Sequence, residues 1–301
     1  MENADSETLK AQVRDFWNQQ SCDTQVAQSS KFSKEYFEEI ESYRYFDQPF
    51  IHGFAQFTRY YGKKVLEVGF GAGSDFVQWL RVGAKVTGID LTPEGLENLR
   101  HRIKVYGLPS PDHIQVGDAE KLPFESNSFD LGYSFGVLHH SPNTVQAIGE
   151  LIRVVKPGGE IKIMVYNRYS IFVINRWVRF GLLRGKPWKS LDWVLWHHNE
   201  SIGTKCYSRA ELKAIFEKFP VEDVCIHTEL TSGDHLSSHA FPPLNLFWRL
   251  LIWLAGERRQ WFKGMYTTPP TGKIPGPFRV TGNALGFYHC IRARKTAAKE
   301  G

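Results

Sequence analysis

The sequence predicts an α/β fold in which a parallel sheet carries crossover helices. Two observations support this prediction. Between residues 63 and 230, short apolar runs of strand length alternate with amphipathic stretches of helix length. The first apolar run also leads into a turn with three alternating glycines, "VLEVGFGAGSD", as expected where a parallel strand joins a helix. The main domain is therefore predicted to begin at residue 63.

Seven segments are predicted to be strands, and four segments among them are predicted to be helices. The strands are residues 63–68, 85–90, 113–116, 129–134, 160–165, 221–230 and 286–293. The helices are residues 74–81, 93–106, 143–155 and 208–218. Thr92 is the predicted N-cap of the second helix, and Pro93 takes its first position, where a missing N–H costs nothing. The "KPGG" that follows Val155 is predicted to end the third helix.

Three further segments lie outside this alternation. Residues 1–62 are predicted to form a helical segment that covers the active site, because aromatic and aliphatic residues recur there at helical spacing. Two aromatic-rich insertions, at about 170–205 and 231–285, interrupt the second half of the 63–301 domain. They are predicted to form caps over the sheet.

The composition is typical of a soluble globular protein, and the four widely spaced cysteines favour reduced thiols in a cytoplasmic protein. Hydrophobic residues make up 42% and charged residues 23% of the 301 positions, and no apolar run reaches the length of a membrane span. The four cysteines show no CxxC spacing, which argues against a disulfide framework and against a structural metal site. The net charge of +5 permits anionic partners but does not demand nucleic acid. The polar N-terminus has no signal-peptide pattern.

The glycine turn and two acids indicate a nucleoside-binding site. Gly69, Gly71 and Gly73 can adopt positive φ and let a ligand approach the backbone closely. Their spacing differs from the G-x-G-x-x-G of dinucleotide folds. Asp90 ends the second strand, where a carboxylate can accept from both ribose hydroxyls of a nucleoside. Asp118 follows the third strand and can accept from an exocyclic amine such as adenine N6.

Together with "GDAEKLPF", "FDLGYSFGVLHH" and "VKPGG", these residues stand in an order that resembles the class I S-adenosylmethionine-dependent methyltransferases. The resemblance covers roughly residues 63–168, and more loosely 206–230 and 286–293. It is nearest to the small-molecule group typified by the quinone C-methyltransferases. It implies a Rossmann-like, seven-stranded, mostly parallel sheet with helices on both faces and an antiparallel last strand. It also implies S-adenosyl-L-methionine as the cofactor.

The resemblance further implies roles for individual residues. The glycines would lie at the methionine portion of the cofactor, Asp90 at the ribose, and Asp118 at the adenine. Glu67 has two interpretations: it orders the loop or the cofactor's ammonium group, or it satisfies local backbone donors. The predicted cofactor-binding set is Glu67, Gly69, Gly71, Gly73, Asp90, Leu91, Asp118, Ala119 and Phe135.

Few residues are candidates for acid–base chemistry. Methyl transfer from a sulfonium needs mainly alignment, and it needs a base only when the acceptor carries a proton at neutral pH. His139 and His140 follow the fourth strand at the carboxyl edge of the sheet, where ligands bind in such folds. Tyr166 ends the fifth strand at the same edge. The alternatives are that the histidines only hold the loop and that the tyrosine packs under a cap.

The aromatic insertions do not determine the identity of the methyl acceptor. Tyr43, Tyr45, Trp177 and His198 are the predicted acceptor-pocket residues. The cap can be the core of extra helices, the lining of a closed apolar pocket, or a membrane-interface surface, and the closed pocket is preferred to the membrane. The predicted reaction is in-line methyl transfer, with release of S-adenosylhomocysteine, to a small molecule such as a thiol, another soft nucleophile or an apolar metabolite. The alternatives are C- or O-methylation of a quinone or isoprenoid at a membrane surface, and a non-catalytic cofactor-binding module.

Overall fold

A computed structural model describes residues 2–230 and 285–297, with side chains from residue 6 onward. Seven strands form one sheet in the order β3-β2-β1-β4-β5-β7-β6. The strands are β1 (Lys64–Val68), β2 (Lys85–Asp90), β3 (His113–Val116), β4 (Phe129–Phe135), β5 (Val155–Tyr166), β6 (Val221–Glu229) and β7 (Tyr288–Lys295). Strands β1 to β5 pair in parallel, whereas β7 is antiparallel to both of its neighbours. The predicted Rossmann-like sheet with an antiparallel last strand is confirmed.

The helices cover both faces of the sheet. They are α1 (Glu2–Gln19), α2 (Lys34–Asp47), α3 (Ile51–Ala55), α4 (Ser74–Arg81), α5 (Pro93–Val105), α6 (Thr144–Val154), α7 (Ile171–Phe180), α8 (Leu191–His198) and α9 (Arg209–Phe216). The predicted cap of α5 is present, because the Thr92 hydroxyl accepts from the Gly95 N–H at 3.1 Å. Alternate residues of β1 enter different layers: Val65 packs with α4, and Leu66 packs with α6 and α9.

The "KPGG" segment is where the predicted boundary is wrong. Strand β5 begins at Val155 rather than at residue 160, because Val155 already pairs with Phe129 of β4. The register then shifts before Leu131 pairs with Glu160, so the extra residues form an irregularity in the strand. A proline and two glycines in a sequence predict the end of a helix. Here they lie within a strand because β5 pairs with β4 across this segment, and such tertiary pairing is not visible in the local sequence.

The segment before β1 is attached to the glycine turn through a buried cation. Arg102 of α5 is fully buried. Its guanidinium donates to the Ala72 carbonyl at 2.9 Å, to the Phe37 carbonyl at 3.2 Å and to the Glu41 carboxylate at 2.7 Å. A buried charge that satisfies several acceptors fixes their relative positions. Helix α2 is thereby held against the turn that follows β1.

The first predicted insertion folds as a pair of short helices, α7 and α8, after β5. Ser170 caps α7 by accepting from the Val173 N–H, and Ser190 caps α8 by accepting from the Trp193 N–H, both at 3.1 Å. The second predicted insertion, at about 231–285, lies almost wholly outside the described residues. Within residues 2–230 and 285–297, no helix is long and apolar enough to cross a membrane.

Candidate active site

A cavity opens at the carboxyl edge of the sheet, at the point where strand order reverses between β1 and β4. This topological switch point is where open α/β sheets bind ligands. The main domain contributes the glycine turn, the ends of β2, β4 and β5, and the loops that follow β3 and β4. The segment before β1 also lines the cavity, through Lys10, Val13, Trp17, Ser21, Cys22, Asp23, Arg44 and Gln48.

The three positions of the turn require glycine for different structural reasons. All three have positive φ, at 79° for Gly69, 50° for Gly71 and 79° for Gly73. A Cβ at Gly69 would overlap the Val137 side chain, and a Cβ at Gly73 would lie 2.7 Å from Leu99. A Cβ at Gly71 would meet nothing within 4 Å. Since Gly71 also lines the cavity, it is the glycine whose missing side chain leaves space for a ligand.

Asp90 holds the glycine turn and has little capacity left for a ligand. One carboxylate oxygen accepts from the Gly71 N–H at 2.8 Å. The other accepts from the Thr92 N–H at 2.9 Å and from the Thr92 hydroxyl at 2.8 Å. A carboxylate offers about four acceptor positions, so these bonds leave at most one for a ribose hydroxyl. Asp90 can therefore accept from at most one ribose hydroxyl, whereas the sequence predicted that it accepts from both.

The predicted adenine-side residues Leu91, Asp118 and Ala119 line the cavity. Asp118 is already engaged, because one oxygen accepts from the Glu120 N–H at 2.9 Å and the other lies 2.6 Å from the Lys10 ammonium. Burial alone would lower the pKa of Lys10, but its hydrogen bonds to Asp118 and other carboxylates outweigh burial and raise it. Helix α1 is thus tethered to the acid that the sequence assigned to adenine.

A buried ionic network lies under the other end of the cavity. The Arg44 guanidinium donates to both oxygens of Asp75, at 2.9 and 2.7 Å, and the Tyr133 hydroxyl donates to the same carboxylate at 2.8 Å. Burial alone would raise the pKa of Asp75, but Arg44 outweighs it and lowers the pKa. Glu67 accepts from the Trp79 indole N–H at 2.8 Å, and burial next to Asp75 raises its pKa.

Arg44 is a cavity residue that sequence reasoning missed. It lies four positions after Ile40, on the buried face of α2, and its guanidinium lies 5.1 Å from the centre of the Phe135 ring. A cation in register with a buried aliphatic residue was a usable signal. A third N–H group, on Nη1, reaches Asp23 over a long 3.4 Å, so two of the five guanidinium N–H groups have no bond among the described residues and can serve an anionic ligand group.

A second polar group stands at the end of β5. The Tyr166 hydroxyl lies 3.0 and 2.9 Å from the two oxygens of Glu200. About a third of the Glu200 side chain is exposed, and desolvation of the rest raises its pKa to about 7. Burial beside that carboxylate also raises the pKa of Tyr166. Glu200 has a φ of 49°, an uncommon value for a residue with a side chain. Sequence reasoning missed Glu200 because it lies within the aromatic insertion, far from any recognised motif.

The structure disfavours the two histidines as bases. His139 is fully buried, does not line the cavity, and neither of its ring nitrogens has a partner in the described part of the chain. His140 does line the cavity, but its Nδ1 lies 3.0 Å from Ser201 and 3.1 Å from Thr204. Burial lowers the pKa of both, to about 3 for His140. A base with so low a pKa holds a proton poorly at neutral pH.

None of the four predicted acceptor-pocket residues lines the cavity, and three of them bond or stack elsewhere. Tyr43 is exposed on α2. The Tyr45 hydroxyl donates within the ionic network, 3.1 Å from the Ser74 carbonyl and 3.2 Å from Asp75. The Trp177 indole donates to the Lys189 carbonyl at 2.6 Å, and His198 stacks on the Phe180 ring.

Besides the Nε2 of His140, two buried polar atoms on the cavity wall have no hydrogen-bond partner among the described residues. They are the Ser21 hydroxyl and the side-chain oxygen of Gln48. Buried polar atoms are rarely left unpaired, so these two are available to a polar ligand. In the same part of the chain, no group of three or more His, Cys, Asp or Glu side chains could hold a metal ion.

Comparison with known proteins identifies the class. The architecture is a Rossmann-like fold with a cavity at the switch point. Residues 66–163 match the sequence family described as a methyltransferase domain. The chain therefore contains a class I S-adenosylmethionine-dependent methyltransferase domain, and S-adenosylmethionine is the cofactor of that class.

Individual relatives are similar over the same core. A phthiotriol/phenolphthiotriol dimycocerosates methyltransferase of Mycobacterium leprae is 35% identical over 102 residues, which are 33% of this chain and 36% of that protein. A malonyl-[acyl-carrier protein] O-methyltransferase of Erwinia billingiae is 38% identical over 118 residues, which are 39% of this chain and 45% of that protein. The chain thus spans less than half the length of these relatives.

Among solved structures, a Haemonchus contortus phosphoethanolamine N-methyltransferase in complex with S-adenosylhomocysteine has a similar fold. The TM-score is 0.54 at 15% identity, and the match covers 94% of this chain and 60% of that one. At this identity the likeness concerns the fold alone.

Proposed function

We propose that this protein transfers a methyl group from S-adenosylmethionine to a small molecule through an acceptor atom that loses a proton. The observation that carries the proposal is that one cavity is lined by two kinds of residue. Gly71 and Asp90 form the proposed nucleoside cradle, and Tyr166 lines the same cavity and donates its hydroxyl to Glu200. The acceptor is a hydroxyl, a thiol or a comparably acidic carbon.

The residues of the cavity fit the cofactor. Gly71 leaves open space beside the backbone, Asp90 retains one acceptor position, and Leu91 with Ala119 offers an apolar surface for a purine. The free N–H capacity of Arg44 suits a carboxylate at the amino acid end. When bound, the cofactor supplies an activated methyl group on a sulfonium leaving group.

The chain's own residues account for the proton. Tyr166 lines the cavity and its hydroxyl donates to Glu200. As the acceptor loses its proton to the tyrosine oxygen, the tyrosine proton can pass to the Glu200 carboxylate. A carboxyl with a pKa near 7 suits this role at neutral pH, because it is partly ionised before the reaction and basic enough to keep the proton. About a third of the Glu200 side chain is exposed, which gives the proton a route to solvent.

The proposal keeps the acceptor small or apolar, and it stays open between a soluble thiol or alcohol and a lipid-like alcohol or quinone. The names of the relatives do not decide between these classes, since one is named for malonyl-[acyl-carrier protein] and another for phthiotriol dimycocerosates. A cytoplasmic location stays a prediction.

The first experiment incubates the full chain with methyl-labelled cofactor and fractionated small-molecule extracts, and measures S-adenosylhomocysteine. Product that depends on one fraction supports methyl transfer and identifies the acceptor. Tight S-adenosylhomocysteine binding by calorimetry, with no turnover on any fraction, would instead indicate a non-catalytic cofactor-binding module.

The second experiment tests the proton acceptor. With the identified acceptor, kcat should rise with pH and level off above about 7, because Glu200 is protonated and unable to accept below that value. Glu200→Gln should abolish this rise and lower kcat by about 10²- to 10⁴-fold. Glu125→Gln, at an exposed carboxylate, is the matched control and should leave the profile unchanged. A pH rise that persists in Glu200→Gln would assign the proton to another group.

A further inference from the structure

The connection between α7 and α8 forms an exposed surface, here called the α7–α8 tip and defined as residues 182–188, "LLRGKPW". All seven residues of the tip are exposed. Leu183 and Trp188 are 70% and 74% exposed, and Leu182 is 46% exposed. Large apolar side chains are seldom grouped so openly on a protein that contacts only water. A closed aromatic cap would have buried them.

The charges around the tip are all positive. No aspartate or glutamate occurs between Tyr169 and Leu191, whereas arginine or lysine occupies 176, 179, 184, 186 and 189. Asp192, the next acid along the chain, pairs with Arg168 at 3.0 Å. Within the described ranges, no salt bridge involves Arg179, Arg184 or Lys186. The tip therefore has the charge complementary to an anionic surface.

The tip is held in place by its own hydrogen bonds. Gly185 has a φ of 66°, and the Lys186 N–H donates back to the Gly181 carbonyl at 2.9 Å. The Trp177 indole donates to the Lys189 carbonyl at 2.6 Å, which joins α7 to the start of α8. The apolar side chains are thus presented by an ordered turn, and little ordering entropy is lost on docking.

We infer that the α7–α8 tip docks on an anionic lipid surface. Leucine and tryptophan side chains would enter the headgroup boundary, where tryptophan is favoured, and Arg184 and Lys186 would face lipid phosphates. A lipid surface fits better than a nucleic acid, because the most exposed residues of the tip are apolar. This inference does not depend on methyl transfer.

The tip is joined to the cavity by a short stretch of chain. Helix α7 begins five residues after Tyr166, which lines the cavity, and its ten residues span about 15 Å. A lipid surface bound at the tip would therefore lie within one helix and one short link of Tyr166 along the chain. The tip therefore favours the membrane-surface alternative over the closed cap that the sequence suggested.

The test is co-sedimentation of the full chain with vesicles. Vesicles of phosphatidylcholine mixed with phosphatidylglycerol should bind the protein, pure phosphatidylcholine should bind it more weakly, and added salt should reduce binding. The Arg184→Gln, Lys186→Gln double variant should lose about fivefold in partitioning per side chain. The Leu183→Ser, Trp188→Ser double variant should lose about tenfold or more.

A matched control keeps the result specific. Tyr61 and Lys63 are equally exposed but lie before β1, at the opposite edge of the sheet. Tyr61→Ser with Lys63→Gln should leave vesicle binding unchanged, and thermal unfolding should show that every variant is folded. Three results would overturn the inference: no vesicle binding, equal loss of binding in the control, or a dimer in light scattering that depends on Leu183 and Trp188. The last result would make a second copy of the chain the occupant.

Discussion

Replacing Gly71 by alanine separates ligand space from backbone strain. The residue has a φ of 50°, in the left-handed region, so any side chain there costs roughly 1–2 kcal/mol. The added Cβ would meet no protein atom within 4 Å, which removes steric clash within the fold as a second cause. The added methyl group would instead project into the cavity that Gly71 lines, where the cofactor is proposed to bind.

Gly107 provides the matched control. It has a φ of 60°, a Cβ there would also meet nothing within 4 Å, and it follows α5 on the exposed surface, outside the cavity lining. Gly71→Ala and Gly107→Ala should therefore lose a similar free energy of unfolding, because the backbone strain is the same. Only Gly71→Ala should lose affinity for S-adenosylhomocysteine, by about tenfold or more, which is a free-energy difference of about 1.4 kcal/mol.

Two measurements decide the matter: calorimetric binding of S-adenosylhomocysteine, and chemical denaturation of both variants. Equal affinity in the wild type and Gly71→Ala would refute the assignment, because the space beside Gly71 would then not hold the ligand. A loss of stability much larger in Gly71→Ala than in Gly107→Ala would show that the turn itself is structurally intolerant, contrary to the open space around it.

Two other sites give sharp expectations. Asp90→Asn places an amide N–H opposite the N–H of either Gly71 or Thr92, both of which donate to Asp90. A buried donor left unpaired costs about 1–3 kcal/mol, so thermal stability and S-adenosylhomocysteine affinity should both fall. A change in neither would contradict the proposed cradle. Lys10→Met removes the ion pair that joins α1 to Asp118, so hydrogen exchange should accelerate in α1 while β1 stays protected. Unchanged exchange in α1 would mean that other contacts hold the helix.

The core of the fold was predictable because its rules are local. Apolar runs, a threonine cap and glycine turns placed β1 to β4 within about a residue of their observed ends. The extension of β5 back to Val155 was not predictable, since it depends on pairing with Phe129 across the sheet. Secondary structure that arises from strand pairing leaves little trace in the strand's own sequence.

The candidate site divides in the same way. Gly71 and Asp90 belong to a continuous motif whose spacing is set by one strand–turn–helix unit, and both line or brace the cavity. Arg44 and Glu200 come from the N-terminal segment and the first insertion, whose positions over the sheet are set by packing between distant parts of the chain. No local pattern predicts that packing, so Glu200 could not be assigned from sequence, and the only signal for Arg44 was its register with the buried Ile40 on α2.

This division bears on where acceptor choice is encoded. In the proposed function, the glycine turn, Asp90 and Asp118 would bind the parts of the cofactor that every methyl transfer shares, so changes there should affect all acceptors alike. Tyr166, which bonds Glu200, and the cavity-lining residues of the segment before β1 other than Lys10 and Arg44 lie outside the shared motif. Uniform binding of the cofactor cannot discriminate between acceptors, whereas contacts made only to the acceptor can. A search for altered acceptor preference should therefore vary these residues outside the shared motif, and the cofactor cradle should be kept constant as the internal reference.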